Sequence, residues 1–263
     1  MSGPTPKTSL PTRLGTALLA VLLVLVVWHG LTATFGIISP ARFPPPVEVA
    51  AAMQQITVEG YSNGRWHEHV LRSVLLVSMG FVVASSIGVA LGLAMGASRA
   101  VEAFANPVFL ILRPIPPLAW IPLAIVWLGL GDAAKMMVIF FAAFVPSVIN
   151  SYTGVRQIEK PIFEAAAMLN IRGLRYWLEV LIPGALPSIF TGLRLSLQAS
   201  WTTLVAAELV GAVAGLGTIL NQAAQDIYPA MILVGMLSVA LCGWLMTLGL
   251  SWIERRVMPW RAV

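Results

Sequence analysis

Apolar residues fill this chain in blocks, and most polar residues fall in the gaps between them. The first block runs from Leu14 to about Phe35, enough to cross a bilayer at about 20 residues per span. Further blocks run from about Val70 to Ala97, Leu118 to Leu130, Lys135 to Val155, Leu186 to Leu209 and Pro229 to Ile253. The pattern therefore predicts about six transmembrane helices. The third is short because Pro114, Pro116, Pro117 and Pro122 crowd its start. A helix broken in this way is tolerated at membrane depth only where protein or a water-filled cavity satisfies the freed backbone groups. Residues 36–69 read as an external connection with a helical patch around Val47 to Ile56, residues 98–113 as a further connection, and Gly211 to Tyr228 as a Gly-rich re-entrant or surface loop. Gly88, Gly92 and Gly96 recur every four residues in the second span, which gives one helix face small enough for close packing in lipid.

The largest polar interruption lies between the fourth and fifth spans, at residues 156–183. Pro161 suits a first helical turn, and the Glu164 carboxylate lies near its positive pole. Ala165, Ala166, Ala167, Met168 and Leu169 extend that helix as far as Asn170, which readily takes the left-handed conformation that ends one. A second helix then carries Leu174, Trp177, Leu178 and Leu181 on one face, with Arg172, Arg175 and Glu179 as polar exits. Pro183, Gly184 and Pro187 are expected to end it.

This stretch resembles the EAA loop of permease subunits of ABC-type importers. Glu164, Ala165 and Ala166 match the opening of that pattern, Val180, Ile182 and Pro183 fit its close, and Asn170 stands where the family has Gly. Gly173, three residues on, leaves the position of the corner open. The segments Arg113 to Asp132 and Pro183 to Leu209, the Gly-Leu-Gly at Gly215 to Gly217 and the closing Pro259-Trp260 are similar to the taurine, sulfonate and nitrate branch, above all to taurine permeases. The resemblance implies an all-α, polytopic membrane protein with the type I ABC importer (MetI-like) permease fold. It implies a homodimer that works with two cytoplasmic ATPases and a periplasmic or lipid-anchored binding protein. Glu164, Ala165, Ala166, Asn170, Arg172, Gly173 and Arg175 would then form the coupling helix that docks on the ATPase. An ordinary amphipathic pair of surface helices would show the same periodicity.

Composition and charge narrow the alternatives. Of the residues, 58% are hydrophobic and 10% charged, against about 25% charged in soluble domains. The net charge of +5 comes from residues scattered between apolar runs, not from a basic nucleic-acid-binding face. With both termini inside, the cytoplasmic segments hold eleven basic residues: Lys7, Arg13, Arg99, Arg113, Arg156, Lys160, Arg172, Arg175, Arg255, Arg256 and Arg261. The outer segments hold four, Arg42, Arg65, Arg72 and Lys135. That bias puts a mobile stretch 1–13, the loop at 156–183 and the tail 256–263 in the cytoplasm and the remainder in or outside the membrane, which the resemblance implies is the inner membrane of a bacterium. No phosphate-binding G-x-x-x-x-G-K-[ST] loop is present, so ATP and Mg2+ belong on a partner and this chain is expected to hold no cofactor of its own. The single Cys242 forms no intrachain disulfide, and His29, His67 and His69 lack the company a metal site needs, with His67 and His69 placed in a loop.

Charges inside a membrane are candidates for function. Arg194 and Glu208 both fall in the fifth span, too far apart to pair, with Arg194 near the cytoplasmic side and Glu208 near the outer end, where an interfacial position is equally open. Trp201, Thr202 and Thr203 lie between them, and Asn150, Ser147 and Ser151 lie in the fourth span. These are candidate lining residues for a small anion or zwitterion. A self-sufficient secondary transporter or channel is the alternative function, but it should show paired broken helices and buried coupling carboxylates. A membrane enzyme would need a nucleophile with its base, or a metal cluster, and neither is visible.

Overall fold

The computed structural model describes residues 10–39, 41–211 and 214–260; Lys7 and Arg261 lie outside them. Among the described residues every regular element is helical. In order they are α1 (Leu10–His29, prolonged by a π turn at Gly30–Thr34), α2 (Pro46–Val58), α3 (Trp66–Ala97), α4 (Arg99–Leu112) and a 3₁₀ turn at Pro117–Trp120. There follow α5 (Ile121–Leu128), α6 (Asp132–Arg156), α7 (Lys160–Met168), α8 (Leu174–Tyr176), a π turn at Trp177–Leu181, α9 (Ile182–Gly211), α10 (Leu216–Gln225) and α11 (Pro229–Val257).

The bundle is built on α3, α6 and α9, with α6 packed between the other two. Glycine makes the α3–α6 contact possible. A Cβ on Gly92 would lie 2.5 Å from the Val148 carbonyl oxygen, and one on Gly88 2.8 Å from the Ser147 Cβ. The small-residue face expected of this span is therefore the face that meets α6, where the backbones approach closely. Ser196 carries the bond onward, donating to the Ala143 carbonyl at 2.7 Å and lying 2.8 Å from the Ser147 hydroxyl. α11 packs against α10, α2 and α9, while α1 stands at the margin, with the Trp28 indole donating to the Pro44 carbonyl at 3.0 Å.

Four continuous helical stretches are long and apolar enough to cross a membrane, Trp66–Ala97, Asp132–Arg156, Leu174–Gly211 and Pro229–Val257. Of the other two expected spans, the third forms part of a pair, α4 with residues 117–128, bent by 82°. Residues 99–112 are thus helix and not connection. The prolines at 114, 116 and 117 fall in the bend, where missing N–H groups cost least. The first is α1, whose apolar stretch Leu18–Thr34 is shorter than the others.

Three more expectations are corrected. The helix that opens at Leu174 does not stop at Pro183, Gly184 or Pro187 but runs on to Gly211. The π turn just before Pro183 shifts the hydrogen bonding, with the Ile182 N–H bonded to the Trp177 carbonyl, and so absorbs a proline that cannot donate. The loop at 211–228 contains α10. His67 and His69 are helical, because α3 begins at Trp66 on a capping box in which the Arg65 N–H donates to the Glu68 carboxylate at 2.7 Å.

Candidate functional site

Two places in the fold carry polar chemistry that packing alone does not require, and they lie at opposite ends of α3, α6 and α9. The first is the interruption at α7 and α8. α7 ends in a Schellman corner: the Asn170 N–H bonds to the Ala167 carbonyl and the Ile171 N–H to the Ala166 carbonyl, each at 3.0 Å. Asn170 holds φ at +53°. This is the left-handed conformation the sequence assigns to that residue, and Gly173 takes a second positive φ of +61°. Ala166 is buried, while Glu164, Ala165, Arg172, Gly173 and Arg175 are exposed. Arg175 forms a two-pronged pair with Glu179, at 3.0 and 3.1 Å. The loop is fixed to the bundle through Phe163, Tyr176 and Trp177, which pack on Leu93, Val155, Ile158, Leu181, Ala185 and Ile189. Its outer surface is apolar as well as charged, with Met168 84%, Leu169 73% and Leu174 73% exposed. Large apolar side chains exposed together in this way make the corner a candidate interaction surface.

The second place centres on Glu208. Glu208 is fully buried among the helices and not exposed on the surface of α9. α10 begins at Leu216 with Gly215 as its N-cap, and the first N–H groups of a helix have no partner inside it. Here three side chains from other helices supply them. The Gly215 N–H donates to His69 Nδ1 at 3.1 Å, the Leu216 N–H to Ser73 Oγ at 2.9 Å and the Gly217 N–H to Glu208 Oε2 at 2.7 Å. Ser73 in turn donates to Glu208 Oε1 at 3.0 Å. Because His69 Nδ1 accepts, Nε2 carries the proton and donates to the Tyr61 carbonyl at 3.0 Å. The carboxyl group thus sits at the positive end of α10. Gly215, with φ +148°, leaves the room: a Cβ there would lie 2.0 Å from Glu208 Oε1. His69 is therefore a buried structural ligand of a loop, a role that sequence spacing did not show.

The remaining candidates separate. Trp201 and Thr203 are buried, and the Trp201 indole N–H has no acceptor among the described residues. Asn150 donates to the Pro146 carbonyl at 2.9 Å, and the buried Ser151 hydroxyl has no hydrogen-bond partner among the described residues. Arg194 is ion-paired with Glu254 of α11, which holds its charge within the fold. Of the Trp201–Thr203 group, Thr202 alone is exposed. Among the described residues no three His, Cys, Asp or Glu side chains come together as a metal site.

An all-helical chain with several bilayer-length helices and a rigid exposed loop between two of them is a multi-pass membrane protein. Residues 84–262 match the family described as "Binding-protein-dependent transport system inner membrane component", and the chain belongs to that family. The taurine transport system permease protein TauC of Escherichia coli (strain K12) is 35% identical over 92% of this chain and 87% of its own length. The putative aliphatic sulfonates transport permease protein SsuC of Bacillus subtilis (strain 168) is 30% identical over 93% and 87%. The nitrate import permease protein NrtB of Synechocystis sp. is 31% identical over 91% and 88%. Among solved structures, an inward-facing form of the MetNI methionine ABC transporter shares the fold, with a TM-score of 0.59 at 21% identity, over 71% of this chain and 95% of that one.

Proposed function

We propose that this chain is the permease subunit of an ATP-driven ABC importer that carries a small organic anion or zwitterion, taurine or another sulfonate first among them, across the inner membrane. It works as a homodimer with two cytoplasmic ATPase subunits and a periplasmic or lipid-anchored binding protein, and both its termini are cytoplasmic. The observation that carries this reading is the Schellman-cornered loop around Glu164, whose exposed apolar and charged side chains offer a rigid surface to a partner. α8 and α9 form one unbroken helix, so a push on the loop is delivered directly to a helix that crosses the membrane. In this mechanism ATP closes the ATPase pair, the two loops move with it, and the route between the permease halves opens outward. The binding protein then releases its substrate into that route, and hydrolysis resets the state. The substrate class rests on the relatives named for taurine, aliphatic sulfonates and nitrate.

The test is ATP hydrolysis by the reconstituted permease and ATPase, with the cognate binding protein and a panel of taurine, alkanesulfonates, nitrate and aromatic carboxylates. Stimulation by taurine or an alkanesulfonate is expected. Transport by this chain alone, without ATP or partners, would replace the importer with the secondary transporter or channel.

A further inference from the structure

The outward surface of α9 differs from that of the other long helices. Along α3 the exposed large hydrophobics are Leu71, Leu75, Met79, Val82, Val83 and Ile87, with Ser86 the one hydroxyl among them in mid-helix. α11 exposes Met236, Leu237, Leu241, Trp244, Leu245 and Leu248, and its exposed Thr247 donates to its own helix, to the Gly243 carbonyl at 2.8 Å. These are surfaces suited to lipid. On α9 the exposed positions include Thr191, Gln198 and Thr202, with one large hydrophobic, Leu195, between them. At 100° per residue the three lie within about 40° of one another around the helix axis, on a stripe about 16 Å long. The buried serines of the core, Ser196 and Ser200, point the other way, into the contact with α6.

Gln198 is the residue that lipid would not tolerate. The Thr191 and Thr202 hydroxyls donate to the Pro187 and Gln198 carbonyls at 3.0 and 3.1 Å, as threonines do in apolar surroundings. The Gln198 amide, with two N–H donors and a carbonyl, makes no hydrogen bond with any described residue. A free amide in hydrocarbon loses all its water bonds with nothing in return. Its place in the middle of a bilayer-length helix therefore calls for water on that face.

We infer that the Thr191–Gln198–Thr202 face of α9 is one wall of the water-filled translocation route, and that the Gln198 amide hydrogen-bonds the oxyanion of the passing solute. This inference rests on the permease reading, since a second copy must close the other side. A neutral amide suits the task, because it donates to a sulfonate or similar oxygen without the ion pairing that would hold the solute in place. Arg194 stands one turn away on the same side of the helix, but Glu254 neutralises it.

The experiment places single cysteines at Gln198→Cys, Thr202→Cys and, as the lipid-facing control, Leu245→Cys, in a Cys242→Ser chain assembled with its ATPase and binding protein in proteoliposomes. A charged, water-soluble thiol reagent is applied in the nucleotide-free and the ATP-trapped states. In at least one state Gln198→Cys and Thr202→Cys are expected to react at least about tenfold faster than Leu245→Cys, because charge is excluded from hydrocarbon. Substrate-loaded binding protein should slow the reaction at Gln198→Cys. Equal rates at Gln198→Cys and Leu245→Cys in both states, in a preparation whose parent complex transports, overturn the inference and leave the permease reading standing. If the parent complex moves no substrate while its ATPase is intact, the permease reading falls and takes the inference with it.

Discussion

Where α10 begins, three buried N–H groups are answered by His69, Ser73 and Glu208 from two other helices. At the opposite end of the same helices, Met168, Leu169 and Leu174 hold most of their surface uncovered around Glu164 and Arg172. The first end spends its polar groups on itself, and the second keeps its own available. The difference separates two kinds of residue that look alike in sequence, namely acids beside glycine-containing turns. Glu208 is bonded inside the fold, and Glu164 is exposed on its surface. Substitutions at the closed end should therefore be read in stability, and those at the open end in association.

The largest loss is expected from Glu208→Ala. The change leaves the Gly217 N–H and the Ser73 hydroxyl without their acceptor in a buried place, at about 1–3 kcal/mol for each unsatisfied group. Thermal unfolding of the purified chain in detergent measures it. A midpoint unchanged from the parent would mean that the cluster is not what holds α10. Gly215→Ala follows, because the new methyl group meets the carboxylate and the φ of +148° is unsuited to a side chain. A cost of about 1–3 kcal/mol is expected from overpacking, read in the same assay. A double substitution that costs no more than Glu208→Ala alone would place both effects on one contact.

Tyr61 sharpens the comparison through pH. It lies in the connection before α3, its hydroxyl donates to Asp226, and its ring meets that of Tyr228 edge-on. Burial first, and then the hydrogen bond to Asp226, raises its pKa above the usual tyrosine value. A raised folded value means that the contribution is complete below the unfolded pKa of about 10 and is lost as pH climbs through the folded one. Stability should thus decline on the alkaline side in the parent and decline less in Tyr61→Phe. Melting in detergent from neutral to strongly alkaline pH is the measurement, and identical slopes would remove Tyr61 from the closed end.

Much of this fold can be read from the residues, for physical reasons that differ by element. Spans announce themselves because apolar blocks must match bilayer thickness, and the stop at Asn170 is legible because few residues take a positive φ. The helix through Pro183 is not legible, since a π turn that accommodates proline leaves no mark in the pattern. Nor is the partnership of His69, Ser73 and Glu208, which joins residues more than a hundred positions apart by tertiary contact. Gln198 illustrates a third case. Its identity as a polar residue in an apolar run is visible in the chain, but that it faces outward and not into the bundle is decided by the packing of α6 against α9.

The smallest effect on stability, and the largest on assembly, is expected from Glu164→Lys. Glu164 is exposed on α7 and makes no ion pair with any described residue, so its replacement should change stability by no more than about 0.5 kcal/mol. The added positive charge does, however, stand in a short helix of the same exposed loop as Arg172 and Arg175, on a surface proposed to meet a partner. Copurification with the ATPase subunit should be lost, while membrane insertion and the melting midpoint stay as in the parent. Intact copurification would detach the loop from the energy-coupling role. Lost copurification together with a lowered midpoint would erase the contrast between the ends, because Glu164 would then hold the fold together as Glu208 does.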